Sequence, residues 1–135
     1  MSKSSPDVPS RILLTDTPAQ IAAKIRGAVT DSTSGITYDP IARPGASNLL
    51  TILAACTEQD VHIVSTHYKT KGHGDLKKDV VDAVQALLDG PRKEFERLKG
   101  EEGYIADVIR QGAERARARS AVTLQEVRKR VGLSP

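Results

Sequence analysis

The chain has 135 residues, and 20 Lys and Arg against 17 Asp and Glu give it a formal net charge of +3. This length fits one domain and excludes a complete nucleotide-binding α/β enzyme, which needs several βαβ units of about 30 residues each. The charge is uneven: residues 1–60 carry a net −1 and residues 61–135 a net +4. Aromatic residues make up 3% of the chain. This shortage argues against platforms that stack nucleic-acid bases and against aromatic cages for cationic ligands.

Cysteine and histidine are too scarce for a disulfide or a zinc cluster. The single cysteine, Cys56, cannot form an intrachain disulfide, and His62, His67 and His73 lack the spacing of a zinc site. No apolar run approaches the roughly 18–20 residues of a membrane span, and the polar N-terminus does not resemble a signal peptide. We therefore expect a soluble, intracellular, helix-rich domain with no metal and with a buried, inert Cys56 thiol.

The N-terminal third of the chain predicts a loop and one helix. Residues 1–16 are rich in Ser and Pro and should form an extended loop. Thr17 and Gln20 form a capping-box pattern with Pro18 between them, so a helix should begin there and end before Thr30.

Residues 30–46 form a long connection that is rich in turn-forming residues, including an Arg-Pro-Gly run at its end. Asp31 and Asp39 are expected to serve turns in it. Its apolar side chains should hold it to the core; they are Ile36, Tyr38 and Ile41.

Three further helices are predicted between the connection and residue 100. The second helix should begin at Ala46, the third should be capped by the Thr57-x-x-Asp60 pattern, and the fourth should have Asp75 as its N-cap. The apolar positions of the fourth helix repeat every 3.7 residues or so, which is typical of an α-helix. Because Pro91 lies inside this pattern, the fourth helix is either one kinked helix or two.

The last predicted helix runs from Tyr104 to Val131, with Gly132 as its C-cap. Small residues at the centre of its apolar stripe predict the close approach of a neighbouring helix. The expected fold is therefore all-α: a bundle of five or six helices preceded by an extended loop, with residues 1–16 as a loop and linker and residues 17–135 as the helical domain.

Four segments carry a more specific pattern. Residues 35–40 read GITYDP, residues 43–50 read RPGASNLL, residues 72–78 read GHGDLKK and residues 112–117 read GAERAR. In this order, and over essentially the whole chain, they resemble the C-terminal region of bacterial and organellar tryptophanyl-tRNA synthetases. The resemblance implies a ligase that uses ATP to attach tryptophan to tRNA, and it implies that this chain supplies the helical domain contacting the tRNA anticodon region.

The first four residues match the last four letters of the Lys-Met-Ser-Lys-Ser motif of class I synthetases; they are Met1, Ser2, Lys3 and Ser4. The resemblance implies that this segment contacts ATP and that Lys3 is catalytic, its ammonium stabilising the charge that develops as pyrophosphate leaves. The alternative is a plain N-terminal lysine. ATP with Mg is implied for the parent enzyme. The isolated chain should be inactive and cofactor-free, because it lacks the nucleotide-binding domain.

Basic residues in the second half of the chain are the candidates for contacts with tRNA phosphates; they are Lys77, Lys78, Arg110, Arg115, Arg117, Arg119 and Arg128. Helical geometry places Arg110, Arg117 and Arg128 on one face of the last helix, and Arg115 and Arg119 on the other flank of its apolar stripe.

Each of these candidates has a structural alternative. In the last helix, Arg110 can pair with Glu114, and Arg119 can lay its stem over the core and pair with an acid. In the fourth helix, Lys77 and Lys78 can pair with two nearby aspartates, Asp75 and Asp79.

The expected partner is the tRNA that accepts tryptophan, with no membrane and no DNA. The resemblance implies a homodimer for the parent enzyme, and we expect the isolated chain to be a monomer. Its compartment would be the cytoplasm in a bacterium or the mitochondrial matrix in a eukaryote. The alternative function is a stand-alone, non-catalytic helical module that binds RNA or protein. A DNA-binding domain is disfavoured, since the net charge is modest and no recognition-helix pattern stands out.

Overall fold

A computed structural model describes residues 7–133 of the chain. Within this range the chain forms a short 3₁₀-helix at Val8–Ser10 and five α-helices, with no strand. The α-helices are α1 (Pro18–Gly27), α2 (Pro44–Thr57), α3 (Val61–His67), α4 (His73–Lys99) and α5 (Glu102–Arg130). The all-helical prediction is confirmed for these residues. The predictions for Met1, Ser2, Lys3 and Ser4 fall outside the described range.

The chain divides into two compact units, Met1–Arg92 and Lys93–Pro135, and the division falls inside α4. The first unit holds α1 to α3 and most of α4. The second holds the end of α4 and all of α5. Pro91 lies within α4, which continues through it as one helix, so the alternative of two separate helices is excluded.

The capping box predicted at the start of α1 is present. The amide of Gln20 donates to Thr17 Oγ1 at 3.3 Å, and the amide of Thr17 donates to Gln20 Oε1 at 2.8 Å. These reciprocal bonds satisfy two amides that no helical carbonyl can reach, which explains why the helix begins here.

Helix α2 starts two residues earlier than predicted, and helix α4 starts three residues earlier. Helix α2 begins at Pro44 rather than Ala46, since proline suits the first helical position, where no amide is needed. Helix α4 begins at His73 rather than after Asp75. Asp75 lies in the first turn, where its Oδ2 accepts a hydrogen bond from the amide of Gly72 at 3.1 Å.

Helix α3 begins at Val61; of the two residues predicted to cap it, Asp60 does so, whereas Thr57 is the last residue of α2. Asp60 is its N-cap, and Oδ1 of this residue accepts a hydrogen bond from the amide of His62 at 2.8 Å. The α2 helix ends at Thr57, and the left-handed conformation of Glu58, at φ 54°, turns the chain towards α3.

The core of the first unit joins all four of its helices and the long connection between α1 and α2. Its largest fully buried side chains are Ile21, Ile36, Leu50, Leu76 and Val80. Burying one such side chain contributes roughly 1.5–3 kcal/mol, so this cluster stabilises the unit mainly through aliphatic packing.

The three apolar side chains predicted to anchor the connection differ in how far they are buried. Ile36 is fully buried and Tyr38 is half-buried against the core. Ile41 is 94% exposed, so its predicted anchoring role is wrong. Residues Pro40 to Ala42 form a turn in which the amides of Ile41 and Ala42 donate to Asp39 Oδ1, at 3.0 and 2.9 Å, and Ile41 is directed outward.

The α5 helix starts two residues earlier and ends one residue earlier than predicted, and none of its residues is buried. Within the second unit, a Cβ placed on Gly112 would meet nothing within 4 Å, so the close-packed neighbour predicted for this helix is not found among the described residues of that unit. The small residues of its stripe offer little apolar area for burial. Val131 is the C-cap of α5 rather than Gly132, which follows it at the next position with a left-handed φ of +74°.

Candidate nucleic-acid interface

The connection between α1 and α2 is held by the side chain of Arg43. Its guanidinium forms a bidentate pair with Asp31, through Nε at 3.0 Å and Nη2 at 2.7 Å. It also donates to the carbonyl oxygens of Thr33, at 3.1 Å, and Gly35, at 2.9 Å, and to Thr37 Oγ1 at 3.1 Å. Arg43 is 9% exposed, so one buried fork fixes the path of a connection that forms no regular structure.

This pair shifts the pKa of both partners. The hydrogen bonds from Arg43 lower the pKa of Asp31 well below its usual range, against a smaller opposing effect of burial, and the amide of Thr33 adds to the lowering. The bond to Asp31 likewise raises the pKa of Arg43. Asp31 thus serves the turn, as the sequence predicts, and in addition anchors Arg43.

We expect the Arg43–Asp31 pair to make the stability of the fold depend on pH in the acid range. Folding lowers the pKa of Asp31, so the unfolded chain binds a proton at this carboxylate more readily than the folded chain does. The contribution of the pair to the free energy of unfolding is therefore complete at pH values above 3.8, the ordinary pKa of an aspartate. It is lost as the pH falls through the folded-state pKa. Urea unfolding at a series of pH values should show this loss in the wild type and a smaller one in Asp31→Asn. Asp82→Asn, which alters an exposed carboxylate, should keep the wild-type slope.

A second cluster lies where α3 ends. The Tyr68 hydroxyl donates to Asp79 Oδ2 at 2.6 Å, and Lys71 Nζ lies 4.8 Å from the centre of the tyrosine ring. Burial, together with the bond to Asp79, raises the pKa of Tyr68. The carbonyl of Tyr68 accepts from the amide of Ile36 at 3.1 Å, so this cluster and the connection lie side by side.

The two candidate lysines of α4 are in different situations. Lys77 Nζ donates to the carbonyl oxygens of Arg26, at 3.0 Å, and Ala28, at 2.7 Å, so it satisfies the C-terminus of α1. Lys78 is exposed, and within residues 7–133 it forms no ion pair. Neither lysine pairs with Asp75 or Asp79, so that structural alternative is wrong. Only Lys78 is fully available to a phosphate.

We predict that Lys77→Met lowers the free energy of unfolding by about 1–2 kcal/mol, since two hydrogen bonds to helix-end carbonyls are lost. Lys78→Met should leave stability within about 0.5 kcal/mol of the wild type. Chemical denaturation of the two variants measures the difference. Equal losses in both would contradict the capping role of Lys77.

The arginines of α5 also divide into two groups. Arg110 pairs with Asp107 at 3.1 Å and with Glu114 at 3.5 Å, which confirms the predicted i,i+4 pair. In the described part of the chain, no ion pair involves the other four candidates, Arg115, Arg117, Arg119 and Arg128. They are exposed, and the acid partner predicted for Arg119 is absent from the described residues.

Sequence reasoning missed Arg43, Tyr68 and Asp79, which organise this part of the molecule. Their partners are set by the path of loops, so no sequence spacing reveals them. The histidines form no metal centre: among residues 7–133, no three His, Cys, Asp or Glu side chains are grouped as a metal would require. Cys56 is half-buried, and burial raises the pKa of its thiol.

None of the helices in the described range is long and apolar enough to cross a membrane.

Comparison with known proteins shows to which family the chain belongs. The family model described as tRNA synthetases class I (W and Y) matches residues 1–89. The tryptophan–tRNA ligase 1 of Streptomyces coelicolor is 38% identical over 135 residues, which is all of this chain and 40% of the relative. The tryptophan–tRNA ligase of Enterococcus faecalis is 42% identical over 133 residues, or 98% of this chain and 39% of the relative. A mitochondrial ligase also matches.

A solved structure of a tryptophanyl-tRNA synthetase also matches this chain. The crystal structure of tryptophanyl-tRNA synthetase from Mycoplasma pneumoniae superposes with a TM-score of 0.75 at 28% identity, covering all of this chain and 42% of that one. The chain thus spans about 40% of the length of the relatives it matches. The family model covers well over half of the chain, and the chain therefore belongs to the class I tRNA synthetases (W and Y).

Proposed function

We propose that this chain is the C-terminal, tRNA-binding part of a tryptophan–tRNA ligase, and that its helical domain contacts the anticodon region of the tRNA. The observation that carries the proposal is the match to tryptophan–tRNA ligases over nearly the whole chain, at 38% and 42% identity. An electrostatic feature supports it: Lys78 and four arginines of α5 are exposed cations that form no ion pair within residues 7–133. Such side chains bind phosphates without first breaking an ion pair.

The hydrogen bonds of Arg43 and Lys77 also support a tRNA-binding role, because they hold the first unit in one conformation. Both side chains use their hydrogen-bond donors inside the first unit, so they hold the backbone in place rather than meet a ligand. Exposed cations on rigid helices bind a nucleic acid at a lower cost in ordering than cations on flexible loops.

The proposal extends to the N-terminal segment by sequence alone. In the parent ligase, ATP with Mg would supply the nucleotidyl group that activates tryptophan. Lys3 would place its ammonium by the ATP phosphates, with Met1, Ser2 and Ser4 forming the rest of that loop. The other parts of the ATP and tryptophan sites would lie outside these 135 residues.

The tRNA-binding role is tested by measuring the affinity of the chain for tryptophan tRNA. Lys78→Gln and Arg117→Gln should each weaken binding, and each should reduce the slope of log affinity against log salt by about one if the cation meets a phosphate. Arg97→Gln is the matched control, because Arg97 is held between Glu94 and Glu101. If the control weakens binding as much as the two variants, the assignment of these cations is wrong.

Catalysis is tested separately. We expect no ATP–pyrophosphate exchange with tryptophan from the purified 135-residue chain. Robust exchange would overturn the proposal that the reaction centre lies mostly outside it.

A further inference from the structure

The net positive charge of the chain lies in its second unit. The first unit, Met1–Arg92, carries 10 basic and 10 acidic residues, whereas the second unit, Lys93–Pro135, carries 10 basic and 7 acidic residues. The second unit therefore has a net charge of +3, which equals that of the full chain. Because phosphates are attracted to the most positive surface of a protein, the second unit supplies most of the attraction for a nucleic acid.

The central turns of α5 hold a dense group of these cations. Residues 112–120 read GAERARARS and contain three exposed arginines that form no ion pair within the described residues; they are Arg115, Arg117 and Arg119. The only contact given for the Arg115 guanidinium is from Nε to the carbonyl oxygen of Gln111, at 3.3 Å. Glu114 is the one acid of this stretch, and its charge is already compensated because it pairs with Arg110 at 3.5 Å.

The three arginines lie on opposite flanks of the helix. At 100° per residue, Arg115 and Arg119 lie about 100° and about 60° to one side of a line through Ala116. Arg117 lies about 100° to the other side of that line. The face between the flanks is formed by side chains no larger than serine; they belong to Gly112, Ala116 and Ser120. Since a helix with its side chains is about 10–12 Å wide, the two flanks can meet two separate rows of phosphates.

This part of α5 suits the backbone of a double helix better than unpaired bases. Residues 112–120 contain no aromatic side chain on which an unpaired base could stack, and no Asn or Gln. In double-stranded RNA the minor groove is wide and shallow, whereas the major groove is too deep and narrow for side chains to read. Each groove has one phosphate strand on either side, so a helix with a smooth face and arginines on both flanks fits the minor groove.

We propose that the central turns of α5 bind across the minor groove of a double-helical RNA stem. Arg115 and Arg119 meet the phosphates of one strand, and Arg117 meets those of the other. This contact rests on the proposed function, because the stem belongs to the tRNA of that function, and it adds the class of RNA structure that α5 binds. It recognises the shape and charge of the stem and not its base sequence, since only the RNA backbone takes part.

The affinity of the full chain for an RNA hairpin that carries the anticodon stem of tryptophan tRNA measures this contact. Arg115→Gln and Arg117→Gln should each reduce the slope of log affinity against log salt by about one. The double variant should reduce it by about two, because the two arginines meet different strands. Lys129→Gln is the matched control: Lys129 is an exposed cation of the same helix, about 140° around from Ala116, so the slope should not change.

Three further ligands test the class of structure that α5 binds. A hairpin whose stem base pairs are exchanged should bind within about two-fold of the original, whereas an unpaired RNA strand of the same length should bind about ten-fold more weakly. A DNA duplex of the same sequence should also bind more weakly, because its minor groove is narrow. Far-UV circular dichroism checks that each variant stays helical.

Equal binding of the hairpin and the unpaired strand, or of the RNA and the DNA duplex, would overturn the minor-groove contact. An unchanged salt slope in either arginine variant would also overturn it. If tryptophan tRNA binds in an anticodon-dependent way while the hairpin does not bind, the proposed function stands and only the α5 contact is wrong. If neither RNA binds, both are wrong.

Discussion

Replacing Gly45 with alanine should destabilise the first unit by more than about 4 kcal/mol or prevent it from folding. Gly45 lies in the first turn of α2, and a Cβ built on it would clash with the carbonyl oxygen of Val29. That oxygen belongs to the backbone, so a side-chain rotation cannot relieve the clash. The end of α1 and the start of α2 would have to separate, which would disturb the buried side chains of both helices.

The matched control is Gly74→Ala in the first turn of α4. A Cβ added to Gly74 would meet no atom within 4 Å, and the φ of this residue is not left-handed, so we expect stability to stay equal or to rise by up to about 1 kcal/mol. Urea unfolding followed by circular dichroism compares the two variants with the wild type. A folded Gly45→Ala protein of wild-type stability would show that the backbones of α1 and α2 do not approach this closely.

Replacing Arg43 with methionine is expected to have the second-largest effect. The hydrogen bonds to the carbonyl oxygens of Thr33 and Gly35 alone account for about 2 kcal/mol, since a net protein hydrogen bond is worth about 1 kcal/mol. The variant also leaves Asp31 without its cation. Arg43→Lys should recover little of the lost stability, because an ammonium cannot form two parallel hydrogen bonds to the Asp31 carboxylate.

The control for Arg43 is Arg97→Met. Arg97 bonds two carboxylates, those of Glu94 and Glu101, but its side chain is 52% exposed, and exposed ion pairs contribute little. Thermal unfolding should show a clear fall in Tm for Arg43→Met and almost none for Arg97→Met. Similar shifts in both would contradict the view that the buried fork organises the connection.

The parts of the fold that the sequence predicts are those set by local chemistry. The capping box of Thr17 and Gln20 involves only neighbouring residues, and the cap of α3 by Asp60 is equally local, so both could be predicted. The left-handed conformation of Gly132 near the end of α5 also follows from a single residue.

The parts that the sequence does not predict depend on distant contacts. Pro44 and Gly45 are typical of a turn, yet they begin a helix whose glycine is required by the carbonyl of Val29. Lys77 is a candidate phosphate ligand by its sequence position, yet its ammonium is bound to the carbonyls that end α1. Periodicity predicts the α5 helix correctly, yet no residue of that helix is buried in the described part of the chain.

The most direct test of the central claim is the binding of this chain to tryptophan tRNA as salt is raised, with a tRNA of altered anticodon as competitor. If the helices form the tRNA-binding part of a tryptophan–tRNA ligase, log affinity should fall linearly with log salt, and the altered tRNA should compete poorly. Affinity that does not depend on salt, or equal binding of both tRNAs, would contradict the claim.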